Sequence, residues 1–183
     1  MTGRINSLRF SLLLFVLVCL ASFGTPTAFA QKPTVAPGIL NRDQAGPLLP
    51  SSVFYLSQVA PIQARNSAGY RFDSGRLFLA ALVDTSGYSS AVQQTYQGYL
   101  ILEVPLKIGD KTLAAGAYGF GFVGGNRMAV MDLGGTQVLE TGTIPDASLT
   151  RPNPLQIMPN PAPGKGFRLY LGRSYVTIEA ATK

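Results

Sequence analysis

Phe167-Arg168-Leu169-Tyr170-Leu171-Gly172-Arg173-Ser174-Tyr175-Val176-Thr177-Ile178-Glu179 is the stretch that decides the fold class. On both sides of Gly172-Arg173-Ser174, apolar side chains alternate with polar or amphipathic ones. That two-residue period belongs to a strand with one buried face, and the glycine between the halves predicts a hairpin. The same pattern recurs outward along the chain. Ile108-Gly109-Asp110-Lys111-Thr112 and Gly124-Gly125-Asn126 read as further hairpin turns. Candidate strands fall at 53–58, 61–65, 76–84, 99–105, 117–123, 127–133, 136–140, 167–172 and 174–179, divided by Gly, Pro, Asn and Asp. Short strands punctuated in this way predict an all-β chain: an antiparallel β-sandwich, with a β-barrel as the alternative.

Three segments depart from simple alternation. Arg76-Leu-Phe-Leu-Ala-Ala-Leu-Val83 is apolar after its first residue, as expected of a strand covered on both faces. Residues 89–97 predict the one short helical insertion. Ser89 or Ser90 would cap it, Val92 and Tyr96 would share a face, Gln93, Gln94 and Gln97 would be solvated, and Gly98 would close it. Residues 151–166 carry Pro152, Pro154, Pro159, Pro161 and Pro163, which predicts a surface loop holding at most a brief edge strand at 155–158.

The N-terminal end predicts export. Arg4 and Arg9 precede an apolar run over 10–23, and Gly24, Pro26 and Ala28-Phe29-Ala30 supply a breaker and a cleavage site. The run is short for a bilayer core that needs roughly 20 residues, so residues 1–30 are expected to be a cleaved signal peptide. Val18 before Cys19 argues against lipidation, and the unpaired arginines argue for the general export route. The expected organisation is a signal peptide at 1–30, a Pro-rich linker at 31–50 and a single β domain at 51–183. The processed protein is expected to be soluble and periplasmic or extracellular, with no membrane span.

Composition removes much chemistry. The chain has no histidine, and its one cysteine is Cys19. After cleavage there is no disulfide, thiol nucleophile, imidazole base or thiolate metal site. No cofactor or metal is expected. The chain has 15 basic and 9 acidic residues; without Arg4 and Arg9 its formal charge falls from +6 to +4. The remaining basic residues stand singly, so no nucleic acid partner is expected. The acids Asp84, Glu103, Asp110 and Asp132 lack the dense spacing of a calcium loop.

Gly119-Phe120-Gly121-Phe122-Val123-Gly124 matches the letters of the dinucleotide fingerprint. The fingerprint needs a helix after its glycines, and here a turn and another strand follow. As a strand, the segment puts Tyr118, Phe120 and Phe122 on one face and leaves Ala117, Gly119 and Gly121 nearly bare on the other. Something must approach such a strip closely, either a neighbouring aromatic or a ligand. Tyr88, Tyr96 and Tyr99 bracket the helical insertion. They would either form a stacking platform or pack the insertion onto the sheet.

Two resemblances follow from particular residues. Leu82-Val83-Asp84-Thr85-Ser86-Gly87, with Leu169-Tyr170-Leu171-Gly172-Arg173 later in the chain, resembles the aspartic protease signature. It implies Asp84 as a catalytic acid sharing a proton with a second aspartate. Ser86 stands where that family needs glycine, and a second Asp-Thr-Gly does not occur, so catalysis would need a homodimer. Ile108-Gly-Asp-Lys-Thr-Leu113-Ala-Ala-Gly116-Ala-Tyr118 resembles the Leu-x-Ala-Gly-x-Tyr strand unit of small exported bacterial β-domain proteins of unknown function, which recurs in prealbumin-like sandwich modules. That likeness implies a sandwich and carries no active-site residue.

The expectation is therefore an exported, non-enzymatic β-sandwich that binds an envelope or extracellular ligand or builds envelope structure. Its contact surface would be Gly119 and Gly121 with Tyr88, Tyr96 and Tyr99. The alternatives are an acid hydrolase using Asp84 and a self-assembling envelope protein.

Overall fold

The computed structural model describes residues 36–162 and 166–181. The export signal expected at 1–30 lies outside the described residues. In chain order the elements are β1 (Gly38–Leu40), α1 (Arg42–Ala45), a 3-10 turn (Gly46–Leu48), β2 (Ser52–Tyr55), β3 (Gln58–Arg71), β4 (Leu77–Val83), α2 (Ser90–Thr95) and β5 (Gly98–Leu102). There follow β6 (Leu106–Ile108), β7 (Lys111–Leu113), β8 (Gly116–Val123), β9 (Arg127–Met131), β10 (Gln137–Gly142), β11 (Ile144–Pro145), β12 (Leu155–Pro159), β13 (Phe167–Leu171) and β14 (Ser174–Ala180).

The strands form two antiparallel sheets. One runs β1-β3-β4-β5-β8-β9-β10, with β2 paired to β3 beside this path. The other runs β12-β13-β14-β6-β7, with β11 paired to β14. Neither sheet closes on itself, so the chain is a sandwich and the barrel alternative is set aside. Phe78, Ala80, Leu100, Leu102, Phe120, Met128 and Val130 of the large sheet meet Leu106, Ile108, Phe167, Leu169, Val176 and Ile178 of the small one in a single core. In β4, residues 78–81 and Val83 are all buried: the even positions face the second sheet and the odd ones are covered from outside. Continuous apolarity here does mean burial on both faces.

The hairpins form where the turn residues predicted them. Leu171 and Ser174 close the β13–β14 turn, with Gly172 at φ +60°. Ile108 pairs with Lys111 around Gly109, also at φ +60°, and Val123 pairs with Arg127 around Gly124-Gly125-Asn126. β12 is an edge strand, as its prolines required.

Several boundaries differ from expectation. The strand expected over 99–105 stops at Leu102, where the chain leaves one sheet for the other. There the Glu103 carboxylate accepts from the Leu77 N–H at 2.8 Å. The strands expected at 53–58 and 61–65 form one hairpin turning at Leu56-Ser57, with φ of +47° and +62°. A two-residue turn with positive φ at both central positions favours Asn-Gly there, so this sequence hides the turn. Helix α2 is present with Ser89 at its N-cap position, but the Ser89 side chain makes no capping hydrogen bond. Gly98 opens β5 rather than closing the helix.

The expected linker is structured where it is described. β1 pairs with the end of β3, Gly38 opposite Arg71. Asn41 then caps α1 by accepting from the N–H groups of Asp43 and Gln44, while the Gln44 side chain accepts from the Asn41 N–H. This capping box folds the segment back so that Leu40 and Ala45 bury against Leu79.

Candidate functional site

The residues singled out from sequence do meet. Gly119 lies opposite Tyr99 in the β5–β8 ladder, and a methyl group on Gly119 would sit 2.9 Å from the Tyr96 ring and 3.0 Å from Tyr55. On Gly121 it would strike the Thr95 carbonyl at the end of α2. The helix is held there by Gln97. Its N–H donates to the Phe120 carbonyl, its side-chain amide donates to the Phe122 carbonyl at 3.2 Å, and its Oε1 accepts from the Phe122 N–H at 2.9 Å. Gln97, expected in solvent, thus extends the ladder. The bare strip is filled by the chain's own helix.

The tyrosines form the rest of that covering. Tyr55 and Tyr96 stack with centroids 3.9 Å apart and planes 22° apart, and Tyr88 stands edge-on to Tyr96 at 5.6 Å. The exposures of Tyr88, Tyr96 and Tyr99 are 7%, 0% and 6%, which leaves no ring face open enough for a ligand to stack on. The Tyr88 hydroxyl donates to the carbonyls of Tyr55 and Gln58 at 2.9 and 3.2 Å. The Tyr96 hydroxyl is buried without a hydrogen-bond partner among the described residues. Burial pushes the phenol pKa up at Tyr55, Tyr88 and Tyr99, and furthest at Tyr96; Asp132 adds to the rise at Tyr55. Sequence reasoning missed Tyr55. It alternates correctly with exposed Phe54, yet nothing local marks its partners more than thirty residues away.

Asp84 lies exposed at the turn after β4. Its carboxylate accepts from the Ser86 N–H at 3.0 Å, and hydrogen bonds from Ser86 hold its pKa below the usual range. A carboxylate dyad needs a second carboxylate against the first, and no acid contributes to the Asp84 shift. The other acids serve the frame. Asp110 accepts from the Thr141 hydroxyl at 2.8 Å, Asp132 from the Thr136 N–H at 2.9 Å, and Glu103 from Leu77. Among the described residues no three His, Cys, Asp or Glu side chains gather as metal ligands.

An open site lies elsewhere, at the seam where β12 approaches β1, α1 and the middle of β3. A cleft of about 600 Å³ is lined there by Arg42, Arg65, Asn66, Leu155, Gln156 and Ile157, among others. Its shape comes from a bulge. β3 pairs Gln63 with Leu82 and then Ser67 with Ala81, which leaves Ala64, Arg65 and Asn66 out of register. Asn66 donates to the Gln63 side chain at 2.8 Å, Ser67 Oγ donates to the Ala64 carbonyl at 2.6 Å, and Gln63 donates to the Val83 carbonyl at 3.2 Å. Bulges re-aim side chains, and this one carries Arg65 to the cleft. Arg65 makes no ion pair among the described residues; Arg42 pairs with Asp43 at 3.5 Å, both well exposed. Across the cleft, Gln156 Oε1 accepts from Asn153, while its Nε2 is buried with no acceptor. The arrangement offers hydrogen-bond donors and one unpaired cation. Sequence reading passed over it because residues 36–50 read as linker and β12 as a loop with a marginal strand.

Compared with protein-family models, curated proteins and solved structures, the chain matches none.

Proposed function

We propose that this is an exported, non-catalytic binding protein of the cell envelope whose ligand seat is the cleft between the β3 bulge and β12. The observation that carries the reading is the cleft itself, a concave seam of about 600 Å³ lined by Arg65, which makes no ion pair among the described residues. The amino-terminal export pattern supports the location. The absence of histidine, together with Asp84 exposed at a turn and held by Ser86 rather than by a second acid, supports binding over hydrolysis.

The test is thermal unfolding of the exported protein with acidic and basic peptides, neutral and uronic oligosaccharides, and anionic lipid vesicles. One class at 100 times its Kd should raise Tm by about 5–10 °C. The shift should vanish in Arg65→Glu. The reading fails if no class shifts Tm, or if the protein cleaves peptides at acid pH and Asp84→Asn abolishes the cleavage.

One observation favours self-assembly as a second reading. Phe54 and Val59 lie opposite each other on the β2–β3 hairpin and are 55% and 64% exposed. Exposed apolar edges pair between copies. Light scattering should then show concentration-dependent oligomers that Phe54→Ser disperses; a persistent monomer removes this reading.

A further inference from the structure

Hydrogen-bond direction along β12 identifies what the cleft would hold. In an antiparallel edge strand, alternate residues direct their backbone groups at the neighbour and the others direct theirs away. Pro154 C=O accepts from Gly172 N–H at 3.0 Å, and the pairing continues as Gln156 opposite Tyr170 and Met158 opposite Arg168. The even positions therefore face β13. The N–H and C=O groups of Leu155 and Ile157 point the other way, toward the cleft, and no other strand pairs with them. Leu155 and Ile157 bury their side chains in the core, so it is their outward backbone groups that line the cleft.

Resting on the cleft as ligand seat, we propose that it binds an extended peptide with an acidic side chain, added as a strand along β12. Main-chain pairing with Leu155 and Ile157 would supply the affinity, as in other strand-addition complexes. The unpaired Arg65, on the bulge across the cleft, would supply the charge preference. No aromatic side chain lines the cleft, so a sugar ring finds no face to stack on. Pro159, the next outward-facing position after Ile157, cannot donate, which ends the pairing window there. That proline keeps a short exposed edge from recruiting strands without limit.

The test uses three peptides of one alternating sequence, bearing Glu, Lys, or Glu with N-methylated backbone amides at alternate positions in both registers. Binding is followed by fluorescence anisotropy and by amide hydrogen exchange on the intact protein. In the free protein the Leu155 and Ile157 amides should exchange faster than those of Gln156 and Met158. The Glu peptide should bind at least tenfold tighter than the Lys peptide and slow exchange at Leu155 and Ile157. N-methylation should abolish binding. Arg65→Glu, an exposed site expected to leave the fold intact, should weaken the Glu peptide at least tenfold and favour the Lys peptide. Equal affinity for both charges, indifference to N-methylation, or protection elsewhere overturns the proposal. If an oligosaccharide or vesicle gives the Arg65-dependent Tm shift while peptides do not, strand addition fails and the cleft survives as the seat. If nothing gives that shift, both fail.

Discussion

The two faces of the large sheet are both buried, by different means. The inner face meets a second sheet through Phe78, Leu100, Phe120, Met128 and Val130, side chains without a polar atom that needs a hydrogen-bond partner. The outer face is covered by pieces of its own chain, α2 and the β2–β3 hairpin, and its contacts are dominated by Tyr55, Tyr88, Tyr96 and Tyr99. Each of those rings carries a hydroxyl that must find an acceptor or stay unpaired. The inner face is thus ordinary apolar packing, while stability on the outer face depends on where each hydroxyl goes. The glycine-bare strip is packed by Tyr55, Tyr96 and the end of α2, and the open cleft lies at the seam between the sheets.

The largest expected effect breaks the inner face. Phe120→Ala removes a fully buried ring between the sheets and should cost about 3–5 kcal/mol in urea unfolding. A loss under 1 kcal/mol would mean that the two sheets do not pack as described. Next comes the outer face. Gly121→Ala drives a methyl group into the Thr95 carbonyl and should cost about 1–3 kcal/mol as α2 is displaced, with exchange rising at the Tyr96 and Gln97 amides. A neutral result would free the strip for a ligand.

The smallest effects separate two tyrosines of one cluster. Tyr88→Phe loses a hydroxyl bonded to two carbonyls and should cost about 1 kcal/mol; Tyr96→Phe removes an unpartnered one and should cost nothing or stabilise by up to about 1 kcal/mol. Equal losses would contradict the hydrogen bonding described. Alkaline titration tests the same contrast. Burial raises these phenol pKa values in the folded state, while unfolded phenols ionise near pH 10. The folded protein then binds protons more tightly, so stability is level below about pH 10 and falls as pH rises beyond it. Tyr96→Phe should flatten that fall, since Tyr96 is the phenol shifted most.

Much of the frame was legible in the residues. The β13–β14, β6–β7 and β8–β9 hairpins follow from local alternation and glycine-bearing turns, and the apolar run of β4 announced cover on both faces. Legibility ended where a signal was missing or shared. Leu56-Ser57 makes a positive-φ turn without the usual residues, and the prolines near β1 and α1 masked a capping box. The tyrosines and glycines were correctly gathered, but from sequence a stacking platform and a packed covering look alike.

What this chain's residues determined by themselves is its vocabulary: short antiparallel strands, tight turns, an apolar amino-terminal run behind two arginines, and a domain without imidazole or thiol. These follow from side-chain period, turn stereochemistry and composition, all of which act within a few residues. Only the tertiary structure decided what covers each face and where a cleft stays open. Those outcomes depend on strands far apart in the chain meeting in register, with a bulge in β3 and an unpaired edge on β12 brought together across the seam between two sheets.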